Sequence, residues 1–158
     1  MDKSGILNTT IMKLNSATDF SFRFLIYASV HGDRLVTVAE VAEAYGLSHH
    51  HLSKICKTLI KEGILEAKRG RDGGVKLAMA PEEIGLSRII QIMEPDPALV
   101  NCTGGIGGQC KILPACKLKG VLAEARRAFF DVLDKYTLAD LVAEPAIAKK
   151  LVALLGED

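Results

Sequence analysis

Several things are scarce in this 158-residue chain, and each shortage removes a class of function. Aromatic residues make up only 5% of it, so its core has to be built mainly from aliphatic side chains. No run of about 18 apolar residues is present to span a bilayer. The N-terminus lacks a basic start followed by an apolar stretch and a small-residue cleavage site, the pattern of a secretory signal, so the expected location is the cytoplasm. Neither sign of charge is in surplus: 20 Lys+Arg stand against 19 Asp+Glu. Nucleic-acid affinity would therefore have to come from where the charges sit rather than from their number. Internal repeats are missing. So are a nucleophile–base pair, a phosphate loop and a cofactor fingerprint, which argues against an enzyme.

What is present is 49% hydrophobic residues, enough to fill one compact domain with a long helix left to dock on a partner. Residues 1–11 show no period and read as a flexible leader, with Met12 an alternative start. From Thr18, taken as N-cap, a helix follows with Phe22, Leu25, Ile26 and Ser29 on one face, ending at Gly32. Thr37 caps a second helix, Val38 to Tyr45, which Gly46 closes in the left-handed conformation favoured there. Ser48 starts a third, which runs to about Glu62.

Two short helices around a tight glycine turn make a helix-turn-helix, whose second helix can enter a major groove. On that helix Leu52, Ile55, Cys56, Leu59 and Ile60 keep the i, i+3, i+4, i+7, i+8 spacing of a core-facing stripe. The other face carries His49, His50, Ser53, Lys54, Lys57 and Lys61, polar groups near the start and lysines beyond. Base edges are read near the beginning of such a helix and phosphates are held along its flank. Ser48, His49, His50 and Ser53 are thus expected to contact bases, and Lys54 and Lys57 phosphates. The run His49–His51 is no chelate, because adjacent helix residues do not face one another.

Ile64–Arg69 and Val75–Ala78 read as two strands around Gly70-Arg71-Asp72-Gly73-Gly74, a β-hairpin whose Arg69 and Arg71 can reach along a groove. Between Leu47 and Lys76 seven Lys/Arg stand against three acids, a basic face that the neutral total hides. Pro81 is expected to begin a helix through about Met93, stopped by Pro95 and Pro97. Pro114 suits the first turn of a long last helix, Ala115 to about Tyr136, on which Leu118, Leu122, Ala125, Phe129, Val132 and Tyr136 form a coiled-coil-like seam. Thr137 can cap a short helix, and residues 146–155 suggest a loosely held terminal one. The expected class is mainly α with a small β-hairpin wing. Its parts are a winged helix-turn-helix at 12–93, a cysteine-rich loop at 94–114, a dimerisation helix and short successor at 115–142, and a tail at 143–158.

Three of the four cysteines, Cys102, Cys110 and Cys116, crowd into fifteen residues as C-x7-C-x5-C. Disulfides are poor candidates in a reducing compartment. Structural zinc sites use close C-x2-C pairs, and none occurs. An iron–sulfur cluster is larger than a single ion, so its ligands can stand farther apart on the flexible loop that Gly104, Gly105, Gly107 and Gly108 provide. The N-terminal end of the following helix, with Lys111, Lys117 and Lys119, would offset thiolate charge. Zinc and a cofactor-free thiol switch are the alternatives. Cys56, on the apolar stripe, reads as core.

Taken together, MKLNSATDFSFRFLIY, SHHHLSKICKTLIKEGILE, RGRDGGVKLA, the three-cysteine loop and KYTLADLV resemble one family, the winged-helix iron–sulfur repressors of IscR, NsrR and RirA type. The resemblance covers roughly residues 12–142 in order, and is nearest to the nitric-oxide-sensing NsrR-like branch. It implies a homodimer on a palindromic double-stranded DNA operator and a cluster held by Cys102, Cys110 and Cys116. That cluster is read as [4Fe–4S], with [2Fe–2S] the alternative. Asp19 falls where NsrR-like members place a carboxylate that completes the cluster from the partner subunit. Lys119 stands where IscR-like members have a histidine, which argues against that subgroup. The expected function is a repressor that releases DNA when its cluster reacts with nitric oxide, the rival being an iron- or redox-responsive regulator of the same fold.

Overall fold

A computed structural model describes residues 13–94 and 110–156. The leader, Met12, Pro95, Pro97, Cys102 and the loop glycines lie outside the described residues.

Helix α1, Ser16–Val30, begins earlier than expected because Asn15, not Thr18, is its cap: the Asn15 side chain accepts from the Thr18 N–H at 2.8 Å. Thr18 is instead fully buried, with its hydroxyl donating to Glu94 Oε1 at 2.8 Å. The covered face of α1 centres on Ser21, Phe24, Leu25 and Ala28, while Phe22, Ile26 and Ser29 are only half-buried. The helix is packed from several sides, so no single stripe read from spacing could mark its centre.

Helices α2 (Val38–Tyr45) and α3 (His49–Lys61) form as the sequence implies. Thr37 and Glu40 make a reciprocal capping box at the start of α2, satisfying two donors that a helix otherwise leaves open. Gly46 closes it at φ 62°. From α3, Leu52, Ile55, Cys56 and Leu59 are buried beneath α1 and α2.

The wing is β1 (Leu65–Lys68) paired antiparallel with β2 (Gly74–Leu77), with Leu65 opposite Leu77 and Lys68 opposite Gly74. Val36 adds a rung that spacing did not announce, exchanging both backbone hydrogen bonds with Val75 at 2.8 Å. A Cβ on Gly74 would lie 2.8 Å from the Val36 carbonyl oxygen, so this glycine is required by the close approach of the Val36 backbone.

A single helix from Pro81 does not form. A 3-10 turn at Pro81–Glu83 is followed by a break and then α4, Leu86–Met93. The break exists because its backbone bonds elsewhere: the Leu138 N–H donates to Ile84 O at 2.8 Å, and the Leu86 N–H to Tyr136 O at 3.1 Å. The long helix α5, Lys117–Leu133, also starts late, since Pro114 sits in a separate 3-10 turn, Leu113–Ala115. It ends before Tyr136, which lies in the turn ahead of α6, Leu138–Val142. Leu138 is fully buried in the same core as Phe24, Val41, Leu59 and Ile89, so α6 folds back onto the winged helix instead of following α5 outward. Each such apolar side chain contributes about 1.5–3 kcal/mol by leaving water. Helix α7, Pro145–Leu155, closes the chain.

Candidate nucleic-acid interface and cysteine site

Burial of one stripe of α3 determines what its other faces offer. His49, His50, His51, Lys54, Lys57 and Lys61 are exposed, and Ser53 is half-buried with its hydroxyl 3.4 Å from His49 Nδ1. Ser48 is the N-cap but makes no side-chain cap bond, and the first turn carries no acid. Unpaired N–H groups and the positive end of the helix dipole therefore stand open beside the histidines.

On the wing Lys68, Arg69 and Arg71 are exposed around the turn, where the Gly73 N–H closes onto Gly70 O at 3.1 Å. Lys76 belongs to a different class: it pairs with Glu66 across the hairpin at 3.1 Å. Among the described residues Lys54, Lys57, Arg69 and Arg71 take part in no ion pair. The basic face is thus narrower than the count along the sequence suggests. What remains is a row of uncommitted cations on the recognition helix and the wing tip, the arrangement that phosphates require.

The thiols fall into two environments. Cys56 is buried, and burial pushes its thiol up to about 11, so it behaves as a core residue. Cys110 and Cys116 are half-buried free thiols. Cys116 occupies the N-cap position of α5 without a side-chain cap bond, placing a sulfur at the positive end of that helix, with Lys117 and Lys119 exposed in its first turn. Soft sulfur donors at an electropositive helix start suit the thiolate charge of an iron–sulfur cluster. The third cysteine, Cys102, lies outside the described residues, and among those described no three His, Cys, Asp or Glu side chains gather to hold a metal ion.

Asp19 lies in the first turn of α1, half-exposed, and is gripped by Arg23 one turn on: Nη2 donates to Oδ2 at 2.8 Å and Nε to Oδ1 at 3.2 Å. The Arg23 guanidinium also lies 5.9 Å from the ring centres of Phe20 and Tyr45. Glu94, the acid just before the cysteine segment, is committed within this chain. Its Oε1 accepts from the Asn15 N–H and from the Thr18 hydroxyl, both at 2.8 Å. No local sequence signal marks that contact, because it joins residues 79 positions apart.

On α5 no residue is buried. Leu118, Val121 and Val132 are 58%, 61% and 52% exposed, Ala125 is exposed, and Leu122 and Phe129 are half-buried. Tyr136, expected on the same seam, is exposed in the turn beyond the helix end.

The sequence pattern of the Rrf2 family, described as an iron-dependent transcriptional regulator, matches residues 14–144. The HTH-type transcriptional regulator NsrR of Bacillus licheniformis is 41% identical over 143 residues, which is 90% of this chain and 100% of that protein. The regulator of the same name from Bacillus subtilis is 40% identical over 144 residues, or 90% of this chain and 99% of the other. Among solved structures, T. potens IscR superposes with a TM-score of 0.66 at 26% identity, covering 85% of this chain and 90% of that one. CymR, the global cysteine regulator of B. subtilis, gives a TM-score of 0.66 at 24% identity, a likeness of fold, over 84% and 98% of the two chains.

Proposed function

This chain belongs to the Rrf2 family of transcriptional regulators, a winged-helix DNA-binding protein similar to regulators named NsrR, and on that premise we propose that it is a cytoplasmic, homodimeric repressor governed by nitric oxide through an iron–sulfur cluster. The observation that carries the proposal is the character of α5. Its start presents Cys116 without a side-chain cap bond and with Lys117 and Lys119 in the first turn, and among the described residues Leu118, Val121 and Val132 of its apolar stripe stay exposed.

Pairing two copies along Leu118, Leu122, Ala125, Phe129 and Val132, with Tyr136 at the margin, would cover that stripe. It would also set two α3 helices for successive major grooves, about 34 Å apart, on a palindromic operator. In each head Ser48, His49, His50 and Ser53 read base edges, while Lys54, Lys57, Arg69 and Arg71 hold phosphates. Cys102, Cys110 and Cys116 would supply three thiolates, one short of what a [4Fe–4S] centre needs, and Asp19 of the partner subunit would supply the fourth ligand, sharing its carboxylate with Arg23. A cluster, when bound, supplies an iron open to small ligands. A hard carboxylate binds that iron less firmly than thiolate would, leaving the site open to exchange. Because the carboxylate comes from the other protomer, its loss would change how the two heads are placed.

Anaerobic purification followed by absorption and iron analysis tests this reading. A brown protein with a broad band near ~400 nm, whose operator complex falls apart on addition of nitric oxide, is the expected result. Colourless, iron-free protein that still binds its operator would replace the cluster with a thiol switch. The family's description as iron-dependent favours one second reading, in which withdrawal of iron, and not nitric oxide, releases DNA. The same titration, run with a chelator, distinguishes the two.

A further inference from the structure

On the cluster reading proposed above, the cysteine segment would communicate with α3, and one short element is fastened beside the start of the former and the end of the latter. Helix α4 ends at Met93, directly before Glu94 and residues 95–109. There it is held to the cap of α1 three times: Asn15 Nδ2 donates to Met93 O at 2.9 Å, and Glu94 Oε1 accepts from the Asn15 N–H and the Thr18 hydroxyl, both at 2.8 Å. Thr18 is fully buried while Asn15 and Glu94 are half-buried, so this clasp sits at the edge of the core. It also adjoins Asp19, the next residue of α1.

At the other end Arg88 leaves the surface of α4 and reaches the recognition helix. Its Nη2 donates to Glu62 O at 3.2 Å, and Nη1 lies 3.9 Å from Met79 Sδ. Glu62 is the C-cap of α3, where carbonyls lack intrahelical donors and the dipole is negative, so a guanidinium is matched to it in charge and in hydrogen bonding. Along α4 Leu86, Ile89, Ile90 and Met93 are buried, which seats the helix in the core over its whole length. Arg88 and Glu94 are six residues apart, about 9 Å of helix.

We infer that α4 is a coupling strut, in which Glu94 and Arg88 are positioning residues that tie the α1 cap and the start of the cysteine segment to the C-terminal end of the DNA-reading helix. The mechanical link stands on the described residues alone; its use in sensing rests on the cluster reading above. Arg88 acts through α3 and does not itself touch DNA.

Two measurements separate the link from its use. In cofactor-free protein, hydrogen exchange is followed at Thr18 and Asp19 in α1 and at Glu62–Ile64 after α3, for the wild type, Glu94→Ala, Arg88→Ala and Arg88→Lys. Glu94→Ala removes the acceptor of Asn15 and Thr18 and should speed exchange at its own end and, by about threefold or more, at Glu62–Ile64; Arg88→Ala should speed it at Glu62–Ile64 and, to a like extent, at Thr18 and Asp19. The double variant should show less than the product of the two effects, and Arg88→Lys should restore most of the protection. Changes confined to the mutated end, with independent effects in the double variant, would overturn the strut whether or not the protein carries a cluster. Should Glu94→Ala unfold the chain, Thr18→Val breaks one bond of the same clasp more gently and is read the same way. The second measurement uses an operator fragment selected from random duplexes. Arg88→Ala should lower selective affinity several-fold while leaving the slope of log affinity against log salt unchanged, since no phosphate contact is lost. A slope reduced by about one would make Arg88 a phosphate ligand and reject its positioning role.

Discussion

In α3 the apolar stripe of Leu52, Ile55, Cys56 and Leu59 is closed over by the rest of the chain, whereas α5 buries none of its 17 residues and its stripe is at most half-covered, at Leu122 and Phe129. Both helices have one greasy side and one charged side, so spacing alone does not tell them apart. What separates them is the supply of cover. Helices α1 and α2 and strand β1 pack against α3, and among the described residues nothing comparable lies over Leu118, Val121 or Val132. An apolar stripe left exposed on an amphipathic helix is a surface suited to a partner, and the proposal above assigns it to a second copy.

The sharpest way to break this comparison is to truncate both stripes. Leu59→Ala, at a fully buried position, should cost about 2–5 kcal/mol in denaturant unfolding and abolish DNA binding by loss of the fold. Val121→Ala, 61% exposed in the protomer, should cost the isolated protomer no more than about 0.5 kcal/mol. Comparable losses in dilute, monomeric protein would mean that α5 is packed within its own chain after all.

Charge placed on the α5 stripe tests what covers it. Leu118→Glu combined with Val132→Glu should convert a dimer to a monomer in sedimentation at micromolar concentration. The winged helix should keep its unfolding midpoint, because neither position belongs to its core. Operator affinity should then fall toward that of a single head. A variant that stays dimeric would move the interface off this stripe.

A third test sharpens the contrast between committed and uncommitted cations. Lys57→Ala and Arg71→Ala should each flatten the salt dependence of DNA binding by about one charge per contact. Lys76→Ala should leave it unchanged, because that ammonium already faces Glu66 at 3.1 Å. Equal effects from all three would make the hairpin pair irrelevant on DNA.

These contrasts also show which parts of the fold and site could be read from residue order. Thr37, Glu40 and Gly46 fix α2 by contacts within a few positions, and the stripe of α3 is likewise local, so both were legible. The break at Ile84–Gly85, the Val36 rung on the wing and the Asn15–Glu94 clasp depend on partners dozens of residues away. Pattern and propensity carry no record of such partners. Cys116 was visible as a sulfur near a helix start, but its place at the N-cap itself was not, because Pro114 satisfies a 3-10 turn as readily as a first α-turn. For α5 the sequence disclosed a seam and the structure disclosed that the seam is open; neither fact alone argues for a second copy.

The smallest effect concerns how helix starts are satisfied, and it contrasts α2 with α5. At α2 the open donors are met by Thr37 and Glu40, and Arg34 Nη1 holds the Glu40 carboxylate at 2.6 Å. Burial raises the Glu40 carboxyl, but hydrogen bonds from Arg34 and Thr37, with the Arg34 charge, outweigh it and leave the group below its usual range. A depressed folded value means stability that is present in full above the unfolded value of about 4.3 and is lost as pH falls through the folded one. Glu40→Gln keeps a neutral cap and removes only the charge, so it should cost about 0.3–1 kcal/mol at pH 7. The two proteins should converge as the pH is lowered toward about 3, below the ordinary glutamate value. At α5 no acid occupies the first turn and Cys116 makes no cap bond, so Lys119→Gln should show no such acid limb in cofactor-free protein. If the Glu40 difference persisted unchanged into acid, its charge would not be what closes α2. The open start of α5 could then no longer be read as a place kept for the negative charge of bound thiolates.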